Sequence, residues 1–115
     1  MHQIVKDFNI TLIEIIPNDE YCKANGIETY LNKSWLIGNN TIQLGIYDDE
    51  ELKLISLFHE IGHTQDKSNK DNLTIFQIEK QAWEIGYQIA EKYNIYFSNN
   101  AKNWALEQLN TYKHI

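Results

Sequence analysis

The chain has no arginine, one cysteine, one proline and no long apolar run. Each shortage excludes something. Without arginine, with a net charge of −6 and with its lysines scattered, the chain has no electrostatic footprint for a nucleic-acid backbone, so direct nucleic-acid binding is not expected. The single cysteine, Cys22, cannot form an intramolecular disulfide, which points to a reducing cytoplasm. With no Cys or His at ligand spacing, Cys22 reads as a small buried side chain rather than a metal ligand. No apolar stretch approaches a membrane span, and Met1 to Asn9 lacks the charged-then-apolar pattern of an export signal, so neither insertion nor export is expected. At 115 residues, 43% of them hydrophobic, a single domain over residues 1–115 with one modest core is expected.

What is present is His59-Glu60-Ile61-Gly62-His63, a His-Glu-x-x-His motif. It lies in a segment, Asp48 to about Gln65, that reads as helix. Residues four apart lie one turn apart on one helix face, so His59 and His63 can offer two imidazoles to one metal ion. Glu60 projects to the side, where a carboxylate can take a proton from metal-bound water without filling a ligand position. A chance match is expected in roughly 1% of shuffled chains of this composition, so the spacing carries information. Leu52, Leu54, Ile55, Leu57, Phe58 and Ile61 surround the helix with apolar side chains, which predicts a largely buried helix whose histidines need partners.

Along the chain, Phe8 to Ile16 reads as a β-strand ended by Pro17-Asn18-Asp19, and Tyr21 to Gly26 as loop. Glu28 to Asn32, Ser34 to Ile37 and Thr41 to Ile46 are further strand candidates, the last two separated by the turn residues Gly38-Asn39-Asn40. These predict a small, mostly antiparallel sheet. Asp48 with Glu51 predicts a capping box for the motif helix. A polar loop, Asp66 to Asn72, leads to a second helix over Leu73 to Tyr93. A third follows over Asn99 to Lys113, whose Ala101, Trp104, Ala105, Leu109 and Tyr112 stripe reads as ordinary helix packing.

Two histidines leave a catalytic zinc one protein ligand short. Asp66, Asp71, Glu79, Glu84 and His114 follow the motif, and helical phase separates the two glutamates. At 100° per residue, Ile75, Ala82, Trp83, Gly86, Ala90 and Tyr93 all fall within about 60° of Glu79, whereas Glu84 falls about 140° away among Gln77, Gln81, Gln88 and Glu91. A carboxylate at the centre of an apolar face costs several kcal/mol unless paired, and a metal ion would pair it. Glu79 is therefore the expected third ligand; a buried ion pair with a lysine is the alternative.

The motif with Gly62 before the second histidine, followed by Glu79-Lys80-Gln81-Ala82, resembles the small gluzincins, and within them the ImmA/IrrE-type metallopeptidases and their phage-encoded relatives. The resemblance covers about Thr41 to Ala90. It implies an α+β, zincin-like fold in which a small sheet packs on an active-site helix and a glutamate helix, here with a C-terminal helix added and the N-terminal helix missing or very short. It implies His59, His63 and Glu79 as ligands of one zinc per chain and Glu60 as the general base. The function it implies is a zinc-dependent peptidase that hydrolyses a peptide or protein substrate. The metzincin pattern fits worse, since Asn69 stands where a third histidine would be. A non-catalytic zinc-binding module, or a metal-free zincin relic acting as an interaction module of a phage or mobile element, is the competing reading; neither requires Glu60. The sequence selects no oxyanion-stabilising residue and no oligomeric state. If Thr41 to Ile46 is the sheet edge, an extended peptide could add to it as a strand.

Overall fold

The computed structural model of the chain describes residues 2–114. Its elements are α1 (His2–Asp7), β1 (Thr11–Glu14), α2 (Glu20–Asn25), a 3₁₀ turn (Ile27–Tyr30), β2 (Ser34–Ile37), β3 (Thr41–Leu44), α3 (Glu50–Gln65), α4 (Ile75–Lys92) and α5 (Asn99–Asn110). Among the described residues this is an α+β fold of five α-helices and one three-stranded mixed sheet. No helix among them is long and apolar enough to cross a membrane.

The motif helix α3 is the centre. Ile55, Leu57, Phe58 and Ile61 have at most 1% of their surface exposed, because the sheet covers one flank and α4 and α5 cover others. Asp49, not Asp48, caps it: the Asp49 carboxylate accepts hydrogen bonds from the Glu51 and Leu52 amides. The expected capping box fails because Glu51 has a better partner. Its two carboxylate oxygens accept from the Ser98 backbone N–H at 2.8 Å and the Ser98 hydroxyl at 2.6 Å. Ser98 in turn caps α5 through the Ala101 amide. One carboxylate thus ties the N-termini of α3 and α5 together. Ser98→Ala removes the cap of α5 and one of these bonds, and is expected to lower stability by about 1 kcal/mol in urea denaturation.

The sheet order is β1-β3-β2, with β3 antiparallel to β2 but parallel to β1. The expectation of a mostly antiparallel sheet is thus wrong for one of its two seams. The condition for strand addition at Thr41 to Ile46 is not met: β3 is the middle strand, and β2 and β1 are the edges. Alternating apolar residues specify a strand and its buried face, but not the direction of its neighbour. The register puts Leu12, Leu36, Ile42 and Leu44 on the face that meets the helices, with Ile42 and Leu44 fully buried. The opposite face carries Ile13 and Trp35, which join a small second cluster with Ile15, Cys22 and Tyr30.

Two local expectations also fail. Residues 21–26, expected as loop, fall largely within α2, which Asp19 caps through the Cys22 amide at 2.9 Å; Cys22 is buried. Glu28 to Asn32, expected as strand, forms the 3₁₀ turn plus a single bridge from Leu31 to Ile46. Burial of the Tyr30 ring, edge-on to Trp35 at 5.7 Å, turns the chain inward there instead of letting it run along the sheet. The N-terminal helix is present but short, and the Tyr93 hydroxyl at the end of α4 donates to Asp7 at its end.

Candidate metal centre

His59 and His63 stand one turn apart on the side of α3 that faces α4, with ring centroids separated by 4.7 Å. Glu79, in the second turn of α4, reaches between them. Its Oε1 lies 3.1 Å from His59 Nε2 and its Oε2 lies 2.9 Å from His63 Nε2. Donor atoms of the three residues all lie within 4.8 Å of one another. Glu84 is exposed and takes no part. Glu60 stands beside the set, its Oε1 3.9 Å from His59 Nε2, with its carboxylate buried.

The approach of α3 and α4 rests on two glycines. A methyl group on Gly62 would run into the Ala82 carbonyl oxygen, and one on Gly86 would lie 2.5 Å from the Phe58 carbonyl oxygen. Each helix therefore presents a gap to a main-chain carbonyl of the other. Gly62 lies within the motif, so the residue that sets the interhelical distance is flanked in sequence by the two histidines.

Trp83, one helical turn after Glu79, lies almost parallel to the His59 ring with centroids 4.0 Å apart and planes 20° apart. His59 Nδ1 is buried and has no hydrogen-bond partner among the described residues. The ring is thus oriented by stacking rather than by the carboxylate or carbonyl that usually holds a ligand histidine. On its other side Glu60 faces the sheet: Ser34, opposite Leu44 in the ladder, shares the helix-facing side and lines the same cleft as Glu60.

Charge is balanced within the group. Burial alone would push the Glu79 carboxyl up, but hydrogen bonds from both imidazoles, with their charge, hold it down to about 2. Burial depresses His63, and the hydrogen bond and charge of Glu79, helped by Glu60 and Asp66, more than reverse this. Glu60 is raised because burial outweighs the nearby imidazoles and Ser34.

Two imidazole nitrogens and a carboxylate oxygen form the His₂Glu donor set of catalytic zinc sites. Donor atoms on a tetrahedral zinc with bonds of about 2.0–2.1 Å lie roughly 3.3 Å apart, and one ligand atom from each of the three residues can be chosen so that all lie within 4.8 Å of one another. The residues present therefore fit a zinc ion. The chain matches no family model, no curated protein and no solved structure.

His59 and Glu79, with Glu60, line an open cleft of about 320 Å³, and His63 lines a neighbouring depression. The start of β2, with Lys33 and Ser34, borders one side. Trp104, Gln108 and Tyr112, from α5 and the turn after it, border the other, and Tyr47 joins them edge-on to Trp104 at 6.4 Å. Burial raises the Tyr112 phenol, and the charges of Glu79 and Glu60 raise it further. The stripe read from sequence as ordinary packing thus divides. Ala101, Ala105 and Leu109 are buried in the core, whereas Trp104 and Tyr112 are half-buried and line the cleft. The spacing of four between Trp104, Gln108 and Tyr112 marks a shared face, but nothing in it separates a cleft wall from a core contact. Ser34 and Tyr47 carried no sequence signal of a role in the site.

Proposed function

We propose that the chain is a zincin-like zinc metallopeptidase of the small gluzincin type, with one zinc held by His59, His63 and Glu79. The observation that carries this reading is the buried Glu60 carboxylate 3.9 Å from His59 Nε2, at the floor of a cleft and outside the ligand set. A bound zinc ion would supply Lewis acidity and lower the pKa of water to about 7. Glu60 would accept the proton of the attacking water and return it to the leaving amine. The Trp83 stack keeps His59 from turning its ring. β2, rather than β3, is the edge strand beside the cleft, and its unpaired backbone groups can receive an extended peptide as an added strand. A non-catalytic zinc-binding module would need the three ligands but not a buried carboxylate beside them.

Purified protein is expected to contain about one zinc per chain by metal analysis, and to cleave at least some members of a peptide library. Wild-type protein that is metal-free and fails to take up added zinc would overturn the proposal. The ligand assignment is tested by two glutamate variants. Apparent zinc-binding energies of about 10 kcal/mol or more are shared among three or four ligands, so Glu79→Ala is expected to weaken zinc at least about 100-fold. Glu84→Ala, on the exposed face, is expected to leave zinc affinity unchanged and stability within about 0.5 kcal/mol.

A further inference from the structure

The link from α4 to α5 holds an aromatic ring out to solvent. Asn94 takes a left-handed conformation, φ 58°, and the Asn94 and Ile95 amides donate to the Glu91 and Ala90 carbonyls, which ends α4 in a Schellman motif. At the far end of the link Ser98 is tied to Glu51. Phe97 is anchored in the core against Phe58, with ring centroids 6.0 Å apart. With Ile95 half-buried and Phe97 buried on either side of it, Tyr96 is turned outward, 72% exposed. Leu106, on the outer face of α5, is 53% exposed. Beside these two side chains lie two depressions. One, of about 250 Å³, has Glu91, Ile95, Tyr96 and Phe97 in its wall. The other, of about 270 Å³, has Trp83, Ala105, Leu106 and Leu109 in its wall. Tyr87 and Lys102 border both, so the two form one furrow between α4 and α5.

We infer that this furrow is the contact face of a symmetric homodimer, in which Tyr96 and Leu106 of each copy enter the depressions of the other. A two-fold interface brings one patch against itself, so it needs projections and hollows on the same face. This face has both, since Tyr96 projects at one depression and Leu106 at the other. An axis near Tyr87, the shared wall, lays the first depression of each copy on the second depression of the other. Tyr96 then meets Trp83, Ala105 and Leu109 of the second copy, and Leu106 meets Ile95 and Phe97. Charge matches under the same axis. Among the described residues the lining carries one anion, Glu91, at the first depression, and one cation, Lys102, which borders the second. Each Glu91 therefore faces a Lys102 across the interface. The chain carries a net charge of −6, yet the furrow is neutral, so like charge does not oppose contact there. Hollows below roughly 300 Å³ are small for a drug-sized ligand and suit single side chains. The Tyr96 backbone is already fixed by the Schellman motif and by Ser98, so seating the ring costs little ordering entropy. Trp83 also borders the metal cleft and stacks on His59 at 4.0 Å, so the interface reaches the ring that holds a candidate ligand.

The test is the mass of the chain in solution, measured by sedimentation equilibrium up to roughly 100 µM, which covers the weaker specific interfaces. Wild type is expected to approach twice 13.6 kDa. Tyr96→Ala and Leu106→Glu are each expected to weaken association at least ~10-fold. Both positions are exposed, so Tm is expected to stay at the wild-type value, and Tyr96→Ala carries the test if Leu106→Glu does not fold. Glu91→Lys and Lys102→Glu each set like charges against one another and are expected to weaken association. The double variant exchanges the two charges and is expected to restore affinity to within about threefold of wild type. A chain that stays at 13.6 kDa throughout would overturn the inference and leave the furrow to a different partner. A dimer whose affinity neither Tyr96→Ala nor Leu106→Glu alters, or a double charge variant no tighter than the single ones, would overturn it as well.

Discussion

Gly62→Ala should unfold the protein at a markedly lower temperature and strip it of zinc. The added methyl has no room, because its neighbour is the Ala82 carbonyl, a main-chain group that no rotamer change can move aside. Alanine gains about 1 kcal/mol of intrinsic helix propensity over glycine, so an isolated helix would be stabilised. In the folded chain α3 and α4 must separate, and every side chain packed between them loses contact. Overpacking costs of about 1–3 kcal/mol are the ordinary range, and a backbone obstacle belongs at or above its top. A net loss of about 2–4 kcal/mol should lower Tm by at least about 10 °C. Moving the helices apart also pulls Glu79 from its position 2.9 and 3.1 Å from the two imidazoles, so zinc affinity should fall with stability. A Gly62→Ala protein that melts and binds zinc like wild type would mean that the helices are not in main-chain contact there.

Glu60→Gln should separate metal from turnover. The amide has nearly the shape of the carboxylate, but it cannot take a proton. Zinc content and Tm should therefore stay near wild type. Since Glu60 is buried with its pKa pushed up by desolvation, replacing it with a neutral group removes a costly buried charge, and a small gain in stability is in keeping with this. A positioned acid–base group contributes about 10²–10⁴ in rate, so kcat against the best library peptide should fall by at least about 100-fold. Retained turnover would exclude Glu60 as the base. Loss of zinc along with activity would mean that Glu60 supports the ligand set rather than the chemistry.

Helical periodicity carried most of the site. His59, His63 and Glu79 could be brought to one place on paper because each lies on a long helix whose phase is set locally, and the apolar stripe around Glu79 gave the direction in which α4 faces. The interlock of Gly62 and Gly86 was half visible, as small residues in a stripe, while the carbonyls they admit depend on the docked helices. What escaped was whatever depended on an unseen partner. Glu51 had a plausible local role with Asp48 and took a distant one with Ser98. Trp104 and Tyr112 had the spacing of packing residues, and their half-exposure arises only because β2 stands opposite across a gap. The six residues of α2 are too few to show a period, although its cap, Asp19, and its terminating Gly26 flank them in the sequence.

The mixed sheet has one local seam and one distant one. Gly38, Asn39 and Asn40 alone join β2 to β3, whereas the whole stretch from Ile15 to Asn40 must be gathered before β1 can lie beside β3. Closing the longer loop costs more chain entropy, and only four residue pairs, Thr11↔Thr41 through Glu14↔Leu44, form the seam it closes. Should the sheet open part-way, this seam is the one favoured to part, taking α1 with it. Ser34, Glu60 and the three ligands all belong to the hairpin and the α3–α4 pair. The segment of α1 and β1 can thus breathe while the frame of the candidate site stays shut, and amide exchange at Thr11 and Ile15, faster than across the hairpin, would register that motion.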